Sequence, residues 1–337
     1  MFIIYIKTKK ITTIHIEEMT NNILKYISKP IQSISIMYKK SSTWGKVLFI
    51  VIILLIVVGI FRSSKPGKEG FEQTDKFMFK TDGDIYDDFY SDIYDQLVFS
   101  NVKDNYEIGQ IINSTKPTQE SIILDVGSGT GHHVGLLNKK GFNAIGLDNS
   151  HSMIEKAKEN YPEYDFVEGD VLNAMQFQPQ SFTHILCLYF TLYYIKDKMQ
   201  FFNNCMNWLM PGGTLVIHIV DRKMFDPILP PANPLLMLTP QRYAKERITS
   251  SNVNFDNFKY SANFELDDNK NSARFIEKFK NKETGKIFRK QEHKMYMESE
   301  ADILDMAKNA GFIIQGKIDL IKVGYEYQYL FLFQKPA

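Results

Sequence analysis

Three glycines stand at every second position directly after an apolar stretch of the chain. Residues 122–131 read IILDVGSGTG, so the glycines are Gly127, Gly129 and Gly131. Because glycine has no Cβ, it is used where a backbone turns tightly or comes close to a ligand. A strand that passes through such a loop into a helix lies at the carboxyl edge of a parallel sheet, where α/β proteins bind nucleotide cofactors. The run therefore predicts an α/β fold with a ligand site at the end of this strand.

The spacing of the glycines separates two classes of loop. A nicotinamide or flavin fingerprint needs G-x-G-x-x-G, but the third glycine of that pattern would fall at His132 or at Val134. The pattern is instead D-x-G-x-G-x-G, which resembles motif I of the class I S-adenosylmethionine-dependent methyltransferases. The resemblance implies S-adenosylmethionine as the cofactor and assigns these residues to its binding: Asp125, Gly127, Ser128, Gly129 and Gly131. In the family, the residue at Asp125 contacts the amino end of the cofactor directly or through water.

A second apolar stretch, 142–148, ends in Asp148 about twenty residues beyond the glycines, where an acidic residue meets the ribose hydroxyls in a doubly wound fold. An ionised carboxylate accepts hydrogen bonds from both vicinal hydroxyls. We therefore predict that Asp148 and the adjacent Asn149 bind the cofactor, although Asp148 alone could also be only a helix cap. A third strand leads into Asp170 and Val171, and the resemblance implies that this pair holds the adenine.

The rest of the chain follows the same family order. The apolar run 182–190 predicts a fourth strand, Pro-Gly-Gly at 211–213 precedes a fifth strand, 214–220, and the strands 312–320 and 325–333 close the chain. The predicted fold is α/β, with a Rossmann-like seven-stranded methyltransferase sheet and helices on both of its faces. The resemblance implies that the last strand is inserted antiparallel.

The acceptor side is predicted at the carboxyl ends of strands four and five. The catalytic candidates are Tyr189, Tyr193 and Asp221, for which packing or a loop hydrogen bond is the alternative reading. Thr191, Tyr194 and Arg222 are weaker candidates of the same kind. An acceptor group of high pKa needs a base that removes its proton. Polar side chains at this edge of the sheet are therefore the catalytic candidates.

Two segments are predicted to cover the site. Tyr86, Tyr90 and Tyr94 recur at four-residue spacing on one helix face, and the segment resembles the aromatic helix that small-molecule methyltransferases fold over the cofactor. We assign Tyr90 to cofactor binding, with core packing as the alternative. The insertion 223–297 has alternating stretches and a hairpin turn at 283–285, which predict an antiparallel β meander over the acceptor pocket. Such an insertion is also a possible surface for oligomer formation.

The N-terminal part predicts a membrane anchor. Residues 47–61 are fifteen residues without a charged or polar side chain, close to the length that crosses a bilayer. We expect four parts: a segment of unknown role at 1–43, a transmembrane anchor at 44–62, a linker at 63–80 and the methyltransferase domain at 81–337. Positive charges flank the anchor on both sides and therefore do not predict its orientation. We expect the catalytic domain to face the cytosol, because the methyl donor is made there.

Charge and cysteine content exclude some functions. The net charge of +1 does not support nucleic-acid binding, and the two cysteines lack the spacing of metal ligands, so no metal is expected. The sequence therefore predicts a membrane-anchored S-adenosylmethionine-dependent methyltransferase that acts on a small-molecule or lipid acceptor. The alternatives are a protein methyltransferase and a catalytically inactive, membrane-tethered scaffold.

Overall fold

The computed structural model describes residues 39, 41–48, 50–52, 54, 77–227 and 247–337. The chain divides into two units, residues 1–71 and 72–337. In the first unit, residues 43–48 and 50–52 are helical. Within the described ranges, no helix is both long enough and apolar enough to cross a membrane. Most of the expected anchor (44–62), of the linker (63–80) and of the segment 1–43 lies outside the described residues.

The second unit is built on two sheets. The strands in chain order are β1 (Met78–Thr81), β2 (Ile122–Val126), β3 (Asn143–Asp148), β4 (Asp165–Glu168), β5 (Phe182–Cys187), β6 (Leu209–Val220), β7 (Ser250–Asn254), β8 (Phe258–Asp267), β9 (Ser272–Asn281), β10 (Ile287–Tyr296), β11 (Ile313–Asp319) and β12 (Gln328–Gln334). The larger sheet has seven strands in the order β11-β12-β6-β5-β2-β3-β4. Strand β12 runs antiparallel to both of its neighbours, β11 and β6, and the other neighbouring pairs of this sheet are parallel. This mixed sheet confirms the predicted fold class.

Helices cover both faces of the larger sheet. They are α1 (Asp88–Val98), α2 (Asn101–Thr115), α3 (His132–Lys139), α4 (His151–Asn160), α5 (Thr191–Tyr194), α6 (Lys198–Trp208) and α7 (Glu300–Asn309). Because strand side chains alternate between faces, neighbouring residues enter different cores. Ile185 packs in the cluster that contains α6 and α7 residues, whereas Leu186 packs with residues of α2, α3 and α4. A capping box between Ser299 and Asp302 begins α7.

The insertion contributes four of the five strands of the smaller sheet, whose order is β1-β10-β9-β8-β7. Strands β7 to β10 make the predicted antiparallel meander, and β9 and β10 are joined at the predicted turn. Strand β1 was not anticipated. It lies at the boundary expected between linker and domain, and it pairs in parallel with β10. The structured domain therefore begins before residue 81.

Two of the strand boundaries that differ from the sequence expectation have a reason in the backbone. Strand β5 ends at Cys187 instead of residue 190, and Tyr189 then adopts a left-handed conformation with φ +52°. Strand β6 begins at Leu209 instead of residue 214. The Pro-Gly-Gly turn lies within it as an irregularity, because Leu209 and Thr214 both pair with β5.

Candidate active site

A cavity of about 520 Å³ opens at the carboxyl ends of β2, β3 and β5. Its floor is formed by the glycine loop and by the residues that follow β3 and β4, and α1, β9 and β10 contribute its cover. Small-molecule and cofactor sites commonly enclose about 300–1,000 Å³. The cavity therefore lies at the edge of the sheet that the glycine pattern predicted.

The backbone of the glycine loop adopts a conformation that would be strained for residues other than glycine. Gly127, Gly129 and Gly131 have φ values of +68°, +53° and +87°. A Cβ on Gly127 would lie 2.4 Å from Thr191 Cγ2, and one on Gly131 would lie 2.7 Å from the ring of Phe166. A Cβ on Gly129 would have no atom nearer than 3.8 Å. Two glycines thus let the loop pack tightly, and the middle one leaves room for a ligand against the backbone.

The Asp148 carboxylate is held at the floor of the cavity by backbone N–H groups. Gly129 N–H donates to Oδ2 and Ser150 N–H donates to Oδ1, both at 2.9 Å. Burial raises the pKa of Asp148, and these two N–H groups oppose that rise. The helix cap of α4 is Ser150, whose Oγ accepts from Met153 N–H. Asp148 is therefore not the cap, and it lines the cavity.

The predicted adenine-side residues also line the cavity. Asn149, Asp170 and Val171 all contribute to its wall. Asp170 Oδ1 accepts from Leu172 N–H at 2.8 Å, which fixes the orientation of the carboxyl group. A carboxylate beside the buried Val171 side chain offers an acceptor next to an apolar surface, which suits a flat base with an exocyclic amine.

Comparison with known proteins agrees with this geometry. The structure of the CcbJ methyltransferase from Streptomyces caelestis aligns with 76% of this chain and 100% of that chain, with a TM-score of 0.58 and 17% identity. A family model described as a methyltransferase domain matches residues 124–217. Residues 124–217 therefore match a methyltransferase domain, and the fold of the chain is that of a solved methyltransferase.

Two curated relatives are more similar in sequence to this methyltransferase domain. A dTDP-4-amino-2,3,4,6-tetradeoxy-D-glucose N,N-dimethyltransferase from Saccharopolyspora spinosa is 30% identical over 146 residues, 41% of this chain and 57% of that protein. Trans-aconitate 2-methyltransferase from Escherichia coli is 29% identical over 101 residues, 29% of this chain and 39% of that protein. The chain thus spans less than two thirds of the length of either relative.

In this chain, Asp125 lies behind the loop and does not line the cavity. It is 1% exposed, and burial raises its pKa to about 6. The ring of His133, which lines the cavity, lies between, with Nδ1 3.9 Å from Asp125 Oδ2. Burial lowers the pKa of His133, but Asp104 and Glu107 outweigh burial and raise it to about 10. Any influence of Asp125 on a ligand therefore passes through this imidazolium or a water molecule.

The same carboxylates resemble a metal site but hold a lysine. Ligand atoms of Asp104, Glu107 and His133 lie within 4.8 Å of one another. Lys103 Nζ lies 2.7 Å from Glu107 Oε2 and 3.6 Å from Asp104 Oδ1. Since the Lys103 ammonium and the His133 imidazolium together balance these two carboxylates, we assign the group to charge pairing under the glycine loop.

Helix α1 is fastened over the loop. Thr130 Oγ1 donates to Asp95 Oδ1 at 2.6 Å, and His132 Nε2 lies 2.9 Å from Asp95 Oδ2. Tyr90 and Tyr94 line the cavity beneath this helix, as the aromatic pattern predicted. Tyr90 is nonetheless buried, and its hydroxyl donates to Glu277 on the insertion. Tyr90 therefore both lines the cavity and packs in the core, and its assignment to cofactor binding stays a prediction.

The structure brings only one of the three catalytic candidates to the cavity. Tyr189 lines it, as does Tyr194. Tyr193 is fully buried and its hydroxyl accepts from Val220 N–H at 2.8 Å. Successive residues of a helix such as α5 point about 100° apart, so Tyr193 and Tyr194 have different surroundings. Asp221 accepts from Lys223 N–H in its own turn and is not among the lining residues. Tyr193 and Asp221 are thus corrected from catalytic candidates to packing and loop residues.

Sequence reasoning missed a polar group on the insertion. His293 on β10 lines the cavity, and its Nε2 lies 2.6 Å from Glu277 Oε2 on β9. Glu277 pairs with Gln291 in the strand register, so the two side chains meet diagonally across antiparallel strands. The available signal was the alternation of Arg289, Gln291 and His293 on β10, three polar residues on one face. All three are buried.

Proposed function

We propose that the chain is an S-adenosylmethionine-dependent methyltransferase that acts on a small molecule. The observation that carries the proposal is the Asp148 carboxylate, oriented by Gly129 N–H beside a loop of three left-handed glycines. The room above Gly129, the carboxylate lone pairs and the Asp170–Val171 wall fit the methionine, ribose and adenine parts of that cofactor. When bound, the cofactor supplies an electrophilic methyl group on its sulfonium.

The residues of this chain have three tasks in such a reaction. The loop and Asp148 position the cofactor, α1 and the insertion exclude water, and the insertion orients the acceptor. Aromatic rings dominate the cover, among them Tyr86, Tyr94, Tyr189 and Phe275. Apolar, ring-lined walls suit an organic acceptor of limited size.

The relatives support a small-molecule acceptor. The name of one describes methylation of an amino sugar nucleotide, and that of the other describes methylation of trans-aconitate. We propose an acceptor of this size for this chain. A lipid headgroup or a protein side chain is the alternative that an acceptor screen tests.

We also propose that residues 44–62 attach the chain to a membrane, with the catalytic domain on the cytosolic side. This proposal depends on the apolar run 47–61 alone. An anchored enzyme would meet membrane-borne acceptors at a raised local concentration. Flotation of the full chain with phospholipid vesicles tests it.

The test of the cofactor is calorimetric titration of the full chain with S-adenosylmethionine. In Asp148→Asn, hydrogen bonds to a charged acceptor worth about 1.5–3 kcal/mol are weakened, so we expect the affinity to fall about ten- to a hundredfold. Asp165→Asn is the control, since Asp165 begins β4 at the opposite edge of the sheet. If a folded wild-type chain bound no cofactor, the scaffold alternative would replace the enzyme.

A further inference from the structure

A fully buried carboxylate lies behind the wall of the cavity. Glu277 on β9 is 0% exposed. Its two oxygens are surrounded by four donors: the Tyr90 hydroxyl, the Tyr260 hydroxyl, the Gln291 amide and the His293 ring. Burial alone would raise the pKa of Glu277, but His293 and the other donors outweigh it and hold the pKa below its ordinary value. Glu277 is therefore an ionised acceptor, and none of these four donors is a lysine or arginine.

This arrangement selects one form of the neutral imidazole. Since the Glu277 carboxylate only accepts, the hydrogen of His293 lies on Nε2 and points at Glu277. Nδ1 then carries a lone pair and accepts from the Tyr194 hydroxyl at 3.0 Å. Tyr194 and His293 both line the cavity. A continuous hydrogen-bonded path thus connects the cavity to the buried carboxylate.

The tyrosine at the end of the path is set to transfer a proton without ionising. Burial raises the pKa of Tyr194, so the phenol stays protonated. Tyr194 lines the cavity, so an O–H or N–H group of a bound molecule can donate to its oxygen. Tyr194 can then accept one proton while it passes its own to His293.

The groups around His293 favour the arrival of a proton. The rings of Tyr86 and Tyr90 lie 5.9 Å from it, and Phe275 on β9 lies 5.7 Å away. Arg289 on the same strand is occupied by Asp87, with both guanidinium contacts at 2.9 Å. Lys294 next to His293 is exposed, and its Nζ lies 5.4 Å from the centroid of the Tyr296 ring. The charge in direct contact with the ring is that of Glu277, which stabilises an imidazolium.

We propose that Tyr194, His293 and Glu277 form a proton relay that deprotonates the methyl acceptor, which is therefore an amine or a hydroxyl and not a carboxylate. The proposal rests on the function proposed above. A lone pair of the acceptor forms the new bond to the methyl carbon, and the electron pair of the broken C–S bond stays on sulfur. The acceptor proton moves to the Tyr194 oxygen, the Tyr194 proton moves to His293 Nδ1, and Glu277 balances the resulting charge. A carboxylic acid is already ionised near neutral pH and has no proton to give.

The first test reads the tautomer of His293 and needs no turnover. Long-range ¹H–¹⁵N spectra of the full chain labelled at histidine are recorded, and His293→Asn assigns the signal. We expect the Nε2–H form in the wild type and a shift of the Nδ1 resonance in Tyr194→Phe, which removes only a hydroxyl. In Glu277→Gln the preference of His293 for the Nε2–H tautomer should weaken. Glu292→Gln on the same strand, where Glu292 pairs with Arg274, should leave the signal unchanged. An Nδ1–H form in the wild type would overturn the relay.

The second test compares two acceptor chemistries. The probes are a dTDP-linked 4-amino sugar and trans-aconitate, each supplied with S-adenosylmethionine. We expect methylation of the amine, with kcat lowered about a hundredfold or more in Tyr194→Phe and His293→Asn. KM and cofactor affinity should change little, and the rate of Tyr194→Phe should recover as rising pH deprotonates the amine in solution. If trans-aconitate were methylated, and at the same rate by the wild type and by Tyr194→Phe, the relay would be contradicted. Failure to bind the cofactor would instead contradict the proposed function and leave the tautomer result standing.

Discussion

Replacing Asp125 by asparagine is expected to make the fold more stable. Asp125 is buried beneath the glycine loop, and its Oδ2 has no hydrogen-bond partner among the described residues. Burial raises its pKa from the ordinary 3.8 to about 6. Each unit of such a shift corresponds to about 1.4 kcal/mol. The ionised carboxylate therefore costs the folded state about 3 kcal/mol at pH 8.

The sign of the pH dependence follows from the direction of the shift. Because the pKa of Asp125 is higher in the folded than in the unfolded chain, the folded state holds the proton more tightly. The cost is about 0.5 kcal/mol at pH 4 and grows to about 3 kcal/mol as pH rises past the folded pKa. The asparagine side chain would not ionise and would avoid this cost. Burying its amide would lower the free energy of unfolding by about 1 kcal/mol. Asp125→Asn should thus gain about 2 kcal/mol at pH 8 and almost nothing at pH 4.

The assay is urea unfolding of the full chain followed by circular dichroism at both pH values. The quantity compared is the difference in free energy of unfolding between the variant and the wild type, so other titrating groups largely cancel. Asp165→Asn, at an exposed carboxylate on the same sheet, controls for the loss of one negative charge. A difference that is equal at pH 4 and pH 8, or a variant that is less stable at pH 8, would refute the reasoning.

Two further predictions concern the loop and the N-terminal segment. Gly131→Ala should destabilise the fold by about 1–3 kcal/mol more than Gly141→Ala. Both glycines have φ near +87°, but only a Cβ at position 131 meets a neighbour, Phe166. Equal losses in melting temperature would argue against the clash. The full chain should float with phospholipid vesicles, and Val51→Asp with Leu54→Asp should abolish flotation, since each acid costs about 2.5–3.5 kcal/mol inside a bilayer. Unchanged flotation of the double variant would count against the anchor.

The cofactor half of the site could be predicted because its chemistry is local in sequence. Gly127, Gly129 and Gly131 need left-handed backbone, and that need is visible as residue type. Asp148 follows a strand at a fixed distance from them. Both signals depend on a strand and the few residues after it, so no long-range packing had to be known.

The acceptor half could not be predicted in the same way. Whether Tyr193 or Tyr194 faces the cavity depends on the rotation of a helix of one turn, which the pattern of two adjacent tyrosines does not determine. The pairing of Glu277 with His293 depends on the register of β9 against β10, which is set by tertiary packing. Strand β1 is four residues long and gains its partner only in the folded domain, so its sequence looked like linker.

The position of β1 determines where the chain can be cut. Residues 78–81 pair with Arg289, Lys290, Gln291 and Glu292, on the strand that also carries His293. A fragment that starts at residue 81 would leave this side of β10 with unsatisfied backbone N–H and C=O groups, an open edge of the kind that recruits other chains. A recombinant domain that begins before Met78 keeps that edge closed, and a poorly behaved shorter fragment would say little about the enzyme itself.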